Sequence, residues 1–280
     1  MPRPCFLALA ATASLVVTFG VAPAFAGASE ALLAHRAVYD LVLKNSTDRS
    51  GIDAMSGRMV YEFNGSACDG YTTRFRLVTR IVTGGESRTT DQQTTTYEDL
   101  RSRQFRFDTR SFLNGEPDKE VRGSAHGTPT ATEVDLTMPA ARHLKLPHSE
   151  FPTEHMLEMI RHAGSAETMY QSRIFDGSEE ADQAPLTSMV LGGKEKAATG
   201  EGGSGLSALR GETFWPATVA YFDDSGKGDE TPSYRIAFDL YANGVTRDLT
   251  MDYGDFVLHG TLVKFEPLKQ PECNKPQPGR

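Results

Sequence analysis

Apolar and polar residues alternate with a period of two through most of the chain. Ala37, Tyr39, Leu41 and Leu43 share one face of a first run. Met59, Tyr61 and Phe63 alternate with Arg58 and Glu62 in a second, and Phe75, Leu77 and Ile81 lie opposite Arg74, Arg76 and Arg80 in a third. Successive side chains of a strand point to opposite faces, so this pattern predicts half-buried strands with one charged face. Residues 64–70 carry the turn chemistry that makes the second and third runs a hairpin, with Cys68 in its loop. Further runs cover 88–98, 104–112, 119–125, 130–137 and 142–146, then 169–175, 186–191, 213–222, 234–241, 245–253 and 256–265. Asn243-Gly244 is the tight turn of a hairpin. The last run is apolar on both faces and is expected to lie deep. The period changes once, where Thr153 can cap a helix running to about Ala163, with Met156, Leu157, Met159, Ile160 and Ala163 on its apolar side and Gly164 as its stop. About fourteen strands at roughly 8–12-residue spacing around one helix predict a mostly antiparallel sandwich, barrel or coiled sheet.

The N-terminus departs from this pattern. A basic start, an apolar run from about Phe6 to Val21 and the small-residue ending Ala24-Phe25-Ala26 predict a signal peptide over residues 1–26, cut after Ala26. The run is short for a membrane span, and no other stretch approaches the ~20 apolar residues a spanning helix needs. Residues 27–280 then form a single exported domain, with 194–205 as a charged, glycine-rich loop and 267–280 as a proline-rich strap that cannot be a central strand. Cys5 leaves with the leader, so Cys68 and Cys273 remain and allow one disulfide, which indicates an oxidising compartment. The formal net charge of −8 becomes one unit more negative without Arg3. That balance argues against nucleic acid and against docking on anionic lipid through a broad basic face.

Candidate chemistry is thin, and no cofactor or metal is expected. His155, Glu158 and His162 fall within about 60° of one helix face, a metal-like spacing that lacks the H-E-x-x-H pattern. With Glu154 and Arg161 they read more simply as a solvated face. A G-x-S-x-G elbow is missing, and the other histidines, His35, His126, His143, His148 and His259, are scattered. Glu62, Glu98, Asp239 and Asp252 lie on predicted strands, where spatial separation alone would decide a glycosidase pair. Gly192-Gly193-Lys194 is not a phosphate loop, and residues 223–230 miss the calcium-loop spacing. Trp215 opens a strand beside Pro216; it, Met156 and Met159 are candidates for a binding surface, against the simpler use of all three in the core.

The hairpin over residues 56–72, together with the stretches 35–41, 151–156, 215–217 and 232–267 and the placement of Cys68 and Cys273, resembles the alphaproteobacterial envelope-integrity proteins of the EipB type. The resemblance runs from Ala34 to Cys273 and rests on the order of these stretches, not on one motif. It implies a periplasmic protein whose sheet of about fourteen strands coils as a β-spiral around a short helix, locked by a Cys68–Cys273 disulfide. It further implies a role in envelope integrity under stress, with no established enzymatic activity. A periplasmic tetratricopeptide-repeat protein is the implied partner, and the shape is similar to carriers of lipid or lipoprotein. The expected function is therefore non-catalytic binding of a protein or envelope component, with a lipid or lipoprotein carrier, or an envelope hydrolase, as alternatives.

Overall fold

A computed structural model describes residues 32–165, 167–178, 180–197, 209–222 and 231–271. The leader, most of loop 194–205, residues 223–230 and Cys273 lie outside the described residues. The strands are β1 (His35–Ser46), β2 (Ile52–Ser66), β3 (Gly70–Thr83), β4 (Glu86–Asp99), β5 (Gln104–Leu113), β6 (Glu116–Gly127), β7 (Ala131–Met138) and β8 (Arg142–Pro147). Helix α1 (Pro152–Gly164) follows. The chain then continues through β9 (Met169–Arg173), β10 (Leu186–Leu191), β11 (Glu195–Lys196), β12 (Thr213–Phe222), β13 (Tyr234–Tyr241), β14 (Thr246–Asp252) and β15 (Phe256–Pro267).

All fifteen strands belong to one sheet, ordered β8-β7-β6-β5-β4-β3-β2-β1-β15-β14-β13-β12-β10-β9, with β11 off the path on β12. Every ladder between them is antiparallel. The two ends of the path meet at Glu150, just beyond β8. Its N–H donates to the Arg173 carbonyl (2.8 Å), and its own carbonyl accepts from Phe175 N–H (2.9 Å). This parallel bridge nearly closes the sheet into a barrel-like coil.

The inward positions are those the alternation marks, and they gather in three clusters bridged by α1. Met159 joins the largest, with Tyr39, Leu41, Met189, Leu240 and Leu262. Met156, Leu157 and Ile160 pack on Leu32, Phe63 and Tyr71. Phe151, immediately before the helix, stacks on Phe105 at 5.1 Å in the remaining cluster. Burying a side chain of this size contributes about 1.5–3 kcal/mol, so the helix is held chiefly by this packing. The segment between β9 and β10 covers the Phe105 cluster with Phe175, Ala181 and Ala184. It passes so close that a Cβ at Gly177 (φ +71°) would sit 2.5 Å from the Phe107 ring.

Two expectations are corrected. Thr153 does not cap α1: the helix begins at Pro152, whose φ suits a first helical position, and Phe151 is the N-cap residue with no side-chain oxygen to offer. The last strand is central, between β1 and β14, but only one of its faces is buried; Val257 and Val263 stay half-exposed. Cys68 lies in the turn between β2 and β3 and is disulfide-bonded. The strap returns to that hairpin. Leu268 N–H donates to the Ala34 carbonyl (2.8 Å), and the Gln270 amide bridges Ala34 N–H (3.0 Å) and the Gly65 carbonyl (3.1 Å).

Candidate functional site

Inside the coil the polar groups concentrate around the start of α1. The first N–H groups of any helix lack intrahelical acceptors, and here a strand supplies them. Glu98 on β4, 3% exposed, accepts from Thr153 N–H (2.7 Å) and Glu154 N–H (2.9 Å). Burial pushes its carboxyl up to about 7 despite those two donors. Arg103 ties the same turn down through Glu154 at 2.6 Å.

Next to it sits the arrangement most like a catalytic group. Glu150 Oε2 lies 2.8 Å from His155 Nδ1 and accepts from Ser172 Oγ at 3.0 Å. A relay needs the acid on one imidazole nitrogen and the nucleophile on the other. Here Ser172 Oγ, 3.4 Å from Nδ1, crowds the nitrogen that faces the carboxylate. Nε2 is buried and has no hydrogen-bond partner among the described residues. These groups clasp β9 to the helix, with the acid and the hydroxyl on the same imidazole nitrogen. Ser172→Ala is therefore expected to cost about 1 kcal/mol of stability and to leave biological activity intact. Urea denaturation beside a complementation assay checks both, and loss of activity in a stably folded variant would restore the hydrolase alternative.

The metal-like trio does not converge. His155 is buried, against the expectation of a solvated face, because Glu150 and Ser172 arrive from outside the helix to satisfy it. His162 stacks on Tyr170 at 4.0 Å within ion-pair range of Glu158 and Glu167. Nor do the strand carboxylates pair with one another. Glu62 is held below its ordinary range by Arg36, and Asp252 by the Gly254 N–H, while burial raises Asp239 beside Arg247. Trp215 is 7% and Met159 3% exposed, so both lie in the core, and Lys194 Nζ sits 5.2 Å over the tryptophan ring. Met156 lines a small, partly open cavity of about 40 Å³ with His35, Tyr61, Phe63 and Gly244. That volume suits one or two waters. At the opposite end of the coil, Met55, Leu77, Ile81, Met251, Phe256 and Leu258 line an apolar cleft of about 290 Å³. Sequence reasoning missed Glu98 as a cap and Glu150 as a clasp.

The comparisons with known proteins agree with this fold. Residues 26–269 match the family model described as EipB-like. The chain belongs to the EipB-like family. One relative within reach of the EipB-like pattern is the "Cell envelope integrity protein EipB" of Brucella abortus (strain 2308), 47% identical over 267 residues, which cover 93% of this chain and 95% of the relative. A crystal structure from Brucella abortus, described as a beta-barrel-like protein of a domain of unknown function, superposes with a TM-score of 0.81 at 46% identity. It covers 85% of this chain and 99% of its own. The coiled sheet is thus the form that an EipB-like chain adopts. Among the described residues, no helix is long and apolar enough to cross a membrane.

Proposed function

We propose that this EipB-like protein supports cell-envelope integrity from the periplasm, without catalysis, by binding a protein partner or an envelope component. The observation that carries the reading is 47% identity over 93% of the chain to a relative named for that role. The interior adds support. Glu98 and Glu150 are spent on holding α1 and β9, and the 40 Å³ cavity beside the helix is too small for an acyl chain, which leaves the 290 Å³ apolar cleft at the other end as the place a carrier would use. In this reading the leader is removed after Ala26, residues 27–280 act as one unit, and the strap delivers Cys273 to Cys68. A periplasmic tetratricopeptide-repeat protein is the proposed partner.

Deletion of the gene in its host is expected to sensitise cells to detergent, with resistance restored by the full chain and not by a chain lacking residues 1–26. Mild cross-linking in those cells is expected to join the protein to a tetratricopeptide-repeat protein. Unchanged detergent resistance in the deletion strain overturns the envelope role. Rescue by the leaderless chain overturns the periplasmic one.

A further inference from the structure

Helix α1 fills the coil at one end only. At the other, the apolar cleft of about 290 Å³ is lined by strands and turns and by no residue of the helix. Met55, Leu77 and Ile81 come from β2 and β3, and Met251, Phe256 and Leu258 come from β14 and β15. Met55, Leu77 and Phe256 pack on the main core yet stay half-buried. Leu113 and Tyr253, also in the lining, are each 39% exposed. Single exposed apolar residues need no explanation, but a contiguous set inside a concave face marks a ligand site.

The polar groups of the cleft are already engaged. Thr79 and Thr90 spend their hydroxyls on each other at 2.6 Å, and Ser111 Oγ donates to Asp118 at 3.1 Å. Asp91 is held by Arg76 at 2.8 Å. Lys119, opposite Ser111 in the register, pairs with Glu180 at 2.6 Å. Arg88 stands opposite Ile81 and offsets the charge of Asp118. These three cations and three anions cancel, so the lining favours an apolar occupant over an ion.

Apart from the leader, the rest of the chain offers little to fill it. Residues 223–230, which join β12 to β13 beside Tyr234 and Tyr253, carry no apolar side chain. Residues 27–31, 198–208 and 272–280 add Leu206 as their one large apolar residue. A folded second copy cannot enter, because the lining belongs to the inward face of the coil. A linear acyl chain can. A methylene is close in size to a water molecule, whose share of liquid volume is about 30 Å³, so the cleft takes roughly ten carbons of one chain and not two chains side by side. Met55 and Met251, unbranched and polarizable, adapt to such a chain. Tyr253 stacks on Phe256 at 4.7 Å, and a ring with a polar tip suits the passage from apolar chain to water.

We propose that this cleft binds the acyl chain of a single-chain lipid, with the headgroup left in solvent at the rim. The proposal rests on the reading that the protein binds an envelope component, and it names the chemistry of that component. Titration calorimetry on the mature chain tests it, with lysophosphatidylcholines of eight, ten, twelve and fourteen carbons as probes, each below its micellar concentration. Every methylene up to about ten carbons is expected to tighten binding by about threefold to fourfold, and longer chains to gain little more. Ile81→Trp, which fills the cleft from a half-buried position, is expected to lose at least tenfold while melting close to the parent. Ile81→Ala, which enlarges it, is expected to move the levelling point to about twelve carbons, a shift that no folding defect imitates. Absence of binding, affinity that climbs at one slope to fourteen carbons, a parental profile in both variants, or preference for vesicles of a two-chain phospholipid overturns the proposal. Detergent resistance in the complementation assay is read separately. A protein that binds no probe and still restores resistance loses this ligand and keeps its envelope role.

Discussion

Glu98→Gln is expected to remove a pH dependence of stability that the parent protein shows between about pH 4.5 and pH 7. In the unfolded chain this carboxyl titrates at its ordinary 4.5, and in the fold burial raises it to about 7. Over that window the folded state holds a proton that the unfolded state has released. The contribution is fully present below 4.5 and is lost as pH rises through 7, at about 1.4 kcal/mol per pH unit and roughly 3 kcal/mol in all. The groups facing it are the Thr153 and Glu154 N–H donors and the Thr153 hydroxyl, which favour the carboxylate, and the Glu154 carboxylate, which opposes it. Burial is the largest of these effects. Glutamine keeps one acceptor but turns an NH₂ toward one of the two helix N–H groups, which costs about 1–3 kcal/mol. Urea titrations of both proteins from pH 5 to pH 8 are expected to converge as pH rises, because only the parent weakens. Parallel profiles would show that the carboxyl is charged throughout and that the helix dipole outweighs burial.

The second large effect concerns the tail. A Cys68→Ser, Cys273→Ser variant is expected to lose up to about 5 kcal/mol, the chain-entropy figure for closing a loop of roughly 200 residues. The hydrogen bonds of Leu268 and Gln270 to Ala34 and Gly65 already lay the strap beside the hairpin that holds Cys68. Little native-state strain is therefore expected from a Cys68–Cys273 link, and most of the entropic term is expected to survive. The oxidised parent and the variant are to be compared by thermal melting, with the reduced parent as a third sample that matches the variant. Equal melting of parent and variant under oxidising conditions would mean that the strap is held by its hydrogen bonds alone.

Nearly every strand was legible, because a half-buried strand writes its geometry as alternation and its ends as Gly, Asn and Pro. β3 shows this with Phe75, Leu77 and Ile81 against three arginines, and Asn243-Gly244 closes β13 on β14 as its turn chemistry demands. The helix was legible from its change of period. What was missed depends on residues far apart in sequence. Glu98 caps a helix 55 residues away, and no local motif encodes such a bond. One signal was present: along β4, Gln92, Thr94, Thr96 and Glu98 share a parity, and Glu98 is the lone charge among them. His155 was misplaced for the same reason. The residues grouped with it, Glu154, Glu158, Arg161 and His162, are polar, but the partners that bury it, Glu150 and Ser172, come from a loop and from β9. The apolar cleft is hidden in a different way, since Leu77 and Ile81 on β3 share it with Met251 and Leu258 only once the sheet has coiled.

β1 sits between β2, the next strand to be made, and β15, the last. As the chain is delivered N-terminus first, one edge of β1 therefore has its partner at once, while the other presents bare N–H and C=O groups until nearly the whole chain has arrived. Open edges of this kind recruit other chains, and pairings so distant in sequence form slowly. A chain ending before Phe256 would lack the strand that covers β1, so a ribosome that stops early releases an adhesive fragment and not a shorter working protein.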